Sequence, residues 1–414
     1  MNSPLRWSRA RGRMQGLLLS LLHLVCTGGF PLLVEIKAAP FKPANDELVL
    51  ETLRTGPVDT KTRDLRALRK AHEANPVDVN IATRLAAALM ERGQETADPR
   101  FLSYAEATLG PWWTLSDPPI QVLVLRATIH QSMHRFGPAL GDLEQVLSRD
   151  PTHAQAWLTR ATVLQVTGDY EGAGRALASL AALSPGLVTV ASAASLASLT
   201  GGGSGAYQLL QKALTQSPRA PAAHRAWALT TMAEIAVSLG QDSEAREHFS
   251  AALALSKTDS YVLGAYADFL LDQNQASEVV TLLNDFSRMD GLLLRLARAE
   301  DRLRLPHASG HVADLRDRFD ASARRGDTVH QREEAIYVLK LAKDPARALR
   351  LAENNWLVQK EPADARILLE AADAAGNTEA ARPVLDWLTK NRVEDVRLQS
   401  LAAKIKSTPA RHVP

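Results

Sequence analysis

Two histidine pairs are the first places in this 414-residue chain where side chains stand at a spacing that could do chemistry. His130 and His134 are four residues apart, a spacing that sets two imidazoles on one face of a helix and can seat a metal ion. His307 and His311 repeat that spacing across a loop containing Gly310. A zinc hydrolase would add the glutamate of an H-E-x-x-H pattern as its base, and neither pair has it or an obvious third ligand nearby in sequence. Surface and turn histidine is therefore the plainer reading. Gly201 to Gly205 (GGGSG) could cradle a phosphate, yet no Lys-Ser/Thr follows it and no strand pattern precedes it, so it reads as a flexible turn between helices. There is no Gly-x-Ser-x-Gly nucleophile pattern, and the carboxylates Asp301, Glu333 and Glu334 fall in charged helical faces where solvation explains them. Cys26 is the single cysteine, which excludes an intrachain disulfide, a thiolate zinc site and thiol catalysis in the folded body. The expectation is no catalytic residue, no cofactor and no metal.

Charge narrows the partners. The formal net charge is +2, and its excess sits in Arg6, Arg9, Arg11 and Arg13 with no acid among them, so the chain beyond residue 28 is slightly acidic. A nucleic-acid binder needs a basic face to neutralise phosphates, and nucleic acid is not an expected partner. With 46% hydrophobic but only 5% aromatic residues, the composition is that of an Ala- and Leu-rich helical protein, stabilised by packing alone.

What must position any working residue is a repeat. Laid over itself at an offset of 34, the stretch Ile120 to Pro185 matches at Gln121/Gln155, Arg126/Arg160, Ala127/Ala161, Thr128/Thr162, Gln131/Gln165, Ala139/Ala173, Leu143/Leu177 and Pro151/Pro185. Phe136/Tyr170 is a conservative pair in the same register. A period of that length means stacked helical hairpins. Earlier, Asp64 to Ala74 and Val79 to Glu91 read as helices parted by Asn75-Pro76, since proline lacks the N–H of a continuing turn. Gly110-Pro111-Trp112-Trp113 breaks the helix begun at Phe101, with its tryptophans expected to plug the gap at an irregular turn. Pro218 closes a third, degenerate repeat, and Ala233, Gly240, Ala245, Phe249 and Ala252 restore the pattern. Helix pairs continue through 292–323, 335–359 and 363–390, and a short helix over 395–405 covers the last apolar face, as a solenoid requires. Trp227, Trp356 and Trp387 are expected in the core.

In the second strong repeat, Trp157, Ala161, Gly168, Tyr170, Ala173 and Pro185 fall where tetratricopeptide repeats place Trp, Gly/Ala, Gly, Tyr, Ala and Pro. The chain resembles that family there. The resemblance is strong over 120–185, moderate over 200–255 and weaker elsewhere between 60 and 405. It implies an all-α, right-handed superhelical solenoid of antiparallel helix hairpins over 59–405. It also implies a concave groove faced by the first helix of each hairpin. The residues that would face it are Gln121, Thr128, Gln131, Gln155, Thr162 and Gln165, uncharged hydrogen-bonding side chains on one ladder spacing suited to an extended peptide. The lysine and asparagine set with which some family members clamp a terminal carboxylate is not apparent.

The first residues read as an export signal: four arginines, an apolar run Leu17 to Val25 too short to span a bilayer, then small residues before a cleavage point after Gly28. Retention as an anchor stays open, and only in that case would the chain touch a membrane. Residues 29–58, with Pro40, Pro43 and Pro57, read as a linker, and 406–414 as a disordered tail. The expected function is a non-enzymatic scaffold binding proteins in a bacterial periplasm or cell envelope. The alternative is a periplasmic solenoid that binds a small ligand or metal, through His130 and His134, for delivery to or maturation of an envelope enzyme.

Overall fold

A residue in the left-handed region ends the first helix of nearly every hairpin, and this is what turns the sequence period into a fold. The structure, a computed structural model, describes residues 60–407 apart from Ala97 and Thr328, together with Asn45. The proposed signal, the rest of the linker and the tail beyond Ser407 lie outside the described residues. All described helices belong to one unit, 58–414.

The helices in order are α1 (Thr60–Ala74), α2 (Val79–Thr96), α3 (Arg100–Thr108) and the single turn α4 (Gly110–Trp113). The two strong repeats follow as α5 (Ile120–Ser132) with α6 (Phe136–Arg149), and α7 (Ala154–Thr167) with α8 (Tyr170–Leu183). Then come α9 (Leu187–Ser198) with α10 (Gly203–Gln216), α11 (Ala222–Ser238) with α12 (Asp242–Leu255), and α13 (Ser260–Asp272) with α14 (Ala276–Leu283). The array ends with α15 (Asp290–Leu303) and α16 (Ala308–Arg324), α17 (Gln331–Lys340) and α18 (Pro345–Val358), α19 (Pro362–Ala375) and α20 (Arg382–Asn391), and α21 (Val396–Ser407). No strand occurs among the described residues. The fold is an all-α solenoid of antiparallel hairpins.

Gly168 shows how a hairpin is made. Its φ of +87° is a conformation that a Cβ would strain, and it frees Asp169 to cap α8 by accepting from the Gly172 N–H at 2.8 Å. The same left-handed turn recurs at Gly201, Gly240 and Gly376, and with side chains at His134, Asn274, Arg304 and Lys343. His134 (φ 54°) therefore stands one repeat before Gly168, at the turn beyond the end of α5 and not on the helical face of His130.

Between helices of a hairpin the small residues do the expected work. Ala127, Ala139 and Ala173 are wholly buried and Ala161 is 3% exposed, which lets paired backbones approach closely. Trp112 and Trp113 pack against the Leu85–Leu89 cluster beside α4. The carbonyl of Trp113 accepts from Arg126 Nη1 at 2.6 Å, and Arg126 also forms a buried two-pronged ion pair with Asp142. Trp356 and Trp387 are buried in an edge-to-face pair with centroids 5.5 Å apart. Trp227 is 39% exposed and is not core.

The C-terminal hairpins do more than stack on their predecessors. Lys360 N–H donates to the Val166 carbonyl at 2.8 Å, the Tyr170 hydroxyl donates to the Lys360 carbonyl at 3.1 Å, and the Trp387 indole donates to Tyr170 Oη at 2.8 Å. Asp272, at the end of α13, takes both Nη atoms of Arg366 at 2.6 and 2.7 Å and Nη1 of Arg397 at 3.2 Å. The Gly203 N–H donates to Glu394 at 3.1 Å. Helices α19 to α21 thus lie across the turns of α7 to α13, and the inner face between them becomes a chamber.

Candidate functional site: the inner chamber

The chamber has a volume of about 700 Å³ and is lined mostly by the first helices of the hairpins, from α5 through α19, with residues of α2, α3, α12, α16 and α21. Its register can be counted from the left-handed turns. Six residues before His134, Gly168, Gly201, Gly240, Asn274 and Arg304 stand Thr128, Thr162, Ser195, Glu234, Asp268 and Arg298, one rung per repeat. The last four of these face the chamber. A helix presents residues one turn apart on one face, so Thr231, Ala265 and Arg295 line it beside them.

At one end Tyr261 Oη donates to Glu234 Oε1 at 2.6 Å. Tyr261 is 63% exposed, and that exposure is to the chamber. Burial, with the Glu361 charge adding to it, pushes the Glu234 pKa up to about 7. The Glu234 charge and then burial push the Tyr261 hydroxyl well above the usual phenol range. Arg332 stands near this end, donating to Glu361 at 2.8 Å and Asp364 at 3.3 Å.

Around Asp268 the lining is base-rich. One oxygen of Asp268 accepts from Arg295 Nε at 2.8 Å and Nη2 at 2.5 Å, and the other accepts from Arg298 Nη1 at 3.1 Å. Burial opposes the Asp268 charge, but the two guanidiniums outweigh it and hold the carboxyl below its ordinary range. Arg295 spends its remaining Nη1 on the Gly291 carbonyl at 2.8 Å. Gly264 leaves room for it, since a Cβ there would lie 3.4 Å from Arg295 Cζ. Glu370 is held by Arg366 at 2.8 Å and Lys340 at 2.7 Å.

The residues expected at the groove are distributed unevenly. Gln165 lines the chamber and donates to Ser195 Oγ at 3.0 Å. Thr128, Gln131 and Thr162 are half-buried, with the two threonine hydroxyls turned onto the Val124 and Leu158 carbonyls of their own helices. Gln121 and Gln155 are exposed, Gln121 reaching Asn80 at 3.4 Å and Gln155 reaching Thr159 at 3.3 Å.

The histidine pairs fare differently from their spacing. His130 stacks near Trp113 with centroids 5.2 Å apart, its buried Nδ1 has no hydrogen-bond partner, and burial lowers its pKa. His134 stacks on Phe136 at 5.5 Å. The fold brings His307 and His311 a carboxylate that their spacing did not announce: buried Glu300 meets His307 Nε2 at 3.0 Å and His311 Nδ1 at 2.7 Å through different oxygens. His311 is hydrogen-bonded to Glu300 and His307 lies at ion-pair distance from it, and no group of three or more residues able to hold a metal ion occurs among the described residues.

The repeated hairpin, its small-residue seams and its one-per-repeat turn decide the architecture. It is a tetratricopeptide-type fold. No protein-family model matches the chain, and no curated protein matches it. Among solved structures it is similar to a tetratricopeptide repeat protein from Parabacteroides merdae, with 14% identity over 58% of this chain and 86% of that one and a TM-score of 0.40. It is similar to the type IV pilus biogenesis factor PilW at 14% identity, over 68% of this chain and 98% of that one, with a TM-score of 0.34. A third is a monomeric IFIT1 mutant with Gppp-AAAA, at 14% identity over 79% and 76% of the two chains and a TM-score of 0.46. The chamber residues rest on this chain's own geometry.

Sequence reading had not singled out Glu234, Tyr261, Asp268, Arg295 or Arg298. For Glu234, Asp268 and Arg298 the signal was present in the turn register, because Thr128 and Thr162 are the first two rungs of the ladder that they continue.

Proposed function

We propose that this chain is a non-enzymatic interaction scaffold exported to the bacterial cell envelope, taking an extended polar segment of a protein partner along its inner face. The ladder carries the reading. From α5 to α15 every rung is polar, uncharged at Thr128, Thr162 and Ser195 and charged from Glu234 onward. An extended chain presents donors and acceptors at regular intervals and matches such a row. Gln131 and Gln165 flank the uncharged half, with Gln121 and Gln155 leading to it.

Replacing Gln131 and Gln165 together by Glu should weaken partner capture, read by crosslinking and mass spectrometry, without loss of helix content. Capture unchanged in the double variant would remove the inner face as the site. Export rests on the basic and apolar pattern of the first residues; no helix among the described residues is long and apolar enough to cross a membrane. An alkaline-phosphatase-type reporter fused after residue 60 should be active, and an inactive fusion would sink the envelope assignment.

A second reading is a carrier that delivers a small ligand to an envelope enzyme. What favours it is the chamber itself, whose volume of about 700 Å³ falls within the range of small-molecule sites.

A further inference from the structure

Among the buried arginines facing the chamber, Arg298 makes the fewest hydrogen bonds. Its side chain is only 10% exposed, yet it makes a single hydrogen bond, Nη1 to Asp268. A guanidinium carries five N–H donors in a rigid fork, so most of Arg298's donors face the chamber without a protein acceptor. Holding a buried cation with one partner disfavours the empty state, and an oxyanion placed there would relieve it.

The charge count indicates which oxyanion. Arg295 and Arg298 share the single carboxylate Asp268, two cations against one, whereas the neighbouring Lys340, Arg366 and Arg397 are matched by Asp272, Glu370 and Asp395. One negative charge completes the set. A second charge would meet Glu234, Glu333 and Glu361, which face the same space. Beside the arginines the wall is apolar, with Leu292, Phe269, Phe319 and Ile367. The fork accepts a carboxylate through two parallel N–H···O bonds, and the apolar wall accepts a hydrocarbon body.

We propose that the chamber is a binding site for a small organic monocarboxylate, with Arg298 as its anchor. The proposal shares with the carrier reading only the premise that the chamber is occupied, and it does not depend on any protein partner.

Titration calorimetry on the full chain tests it with hexanoate, its neutral analogue hexanamide, and inorganic phosphate. Hexanoate should bind saturably at one per chain, and hexanamide and phosphate should each bind at least tenfold more weakly. Arg298→Met, of similar length and without charge, should weaken hexanoate at least tenfold, and Arg298→Lys, which keeps the charge and loses the fork, should fall between. Circular dichroism checks that each variant is folded, and the three-probe comparison on the unaltered protein stands alone if a variant fails to fold. Absent hexanoate binding, equal binding of hexanamide, preference for phosphate, or a folded Arg298→Met that binds as well as the parent would each overturn the proposal. Partner crosslinking at Gln131 and Gln165 is scored separately, so loss of the scaffold reading would leave this result intact, and the reverse.

Discussion

Glu234 is the residue at which the chamber makes a measurable demand on stability. Its ordinary carboxyl value is 4.5 and the folded value is raised to about 7, chiefly by burial. An unfolded chain therefore releases this proton first as pH rises, so the fold loses stability between about pH 4.5 and 7 and no further above that window. Glu234→Gln removes the titration and keeps an oxygen for the Tyr261 hydroxyl. The variant should match the parent near pH 4 and exceed it by about 1–2 kcal/mol at pH 8, a figure reduced from the full linkage value because chamber water reaches the carboxylate. Urea unfolding at pH 4, 6 and 8 measures this, and a difference that stays constant across pH would show an ordinary glutamate. Nothing in the residues around Glu234 in sequence announces such a shift, because Tyr261 and Glu361 come from other repeats. The conservative pair Phe136/Tyr170 hides its difference in the same way: the hydroxyl matters only because Lys360 and Trp387 arrive beside it.

At the scale of the helix pair, much more could be read directly. Ala127, Ala139, Ala161 and Ala173 are small for a local reason, the close approach of two helices in one hairpin, and the 34-residue offset exposes that reason without any knowledge of distant contacts. Ala161→Leu should therefore force α7 and α8 apart and cost on the order of 1–3 kcal/mol by overpacking, measured as a lower urea midpoint. A neutral result would mean that the seam has slack its 3% exposure does not suggest. The histidine pair failed at this same scale for an identifiable cause. Four-residue spacing gives one helical face only while the helix lasts, and α5 ends at Ser132, two residues short of His134. Its equivalence to Gly168 was available from the repeat offset, and that equivalence places it at a turn. The ladder was expected only at its first two rungs, Thr128 and Thr162, and was not followed further, since spacings of 30 to 39 residues between later turns break a fixed period.

In the described unit as a whole, the question is whether the array behaves as a row of neighbours. A simple solenoid transmits a perturbation to the next repeat and little beyond, since each unit contacts only those beside it. Here Tyr170 is tied to Trp387 across 217 residues of sequence and Asp272 to Arg366 across 94. Tyr170→Phe removes one acceptor and one donor in a buried position and leaves the Trp387 indole N–H unpaired, at a cost of about 1–3 kcal/mol. Asp272→Asn leaves Arg366 and Arg397 without their shared anion in a partly buried site and should cost roughly 3 kcal/mol or somewhat more. Both should speed amide exchange in α19 to α21, and Tyr170→Phe should do so although its own hairpin precedes those helices by nearly half the chain. Leu143→Ala, a cavity in the α5–α6 hairpin that touches none of these ties, serves as the comparison, and its effect should stay within α5 to α8. Faster exchange confined to α7 and α8 in Tyr170→Phe would mean that the C-terminal hairpins rest against the turns without gaining stability there. The chamber would then open in solution at little cost, and the fixed geometry around Arg298 on which a ligand would depend would be lost with it.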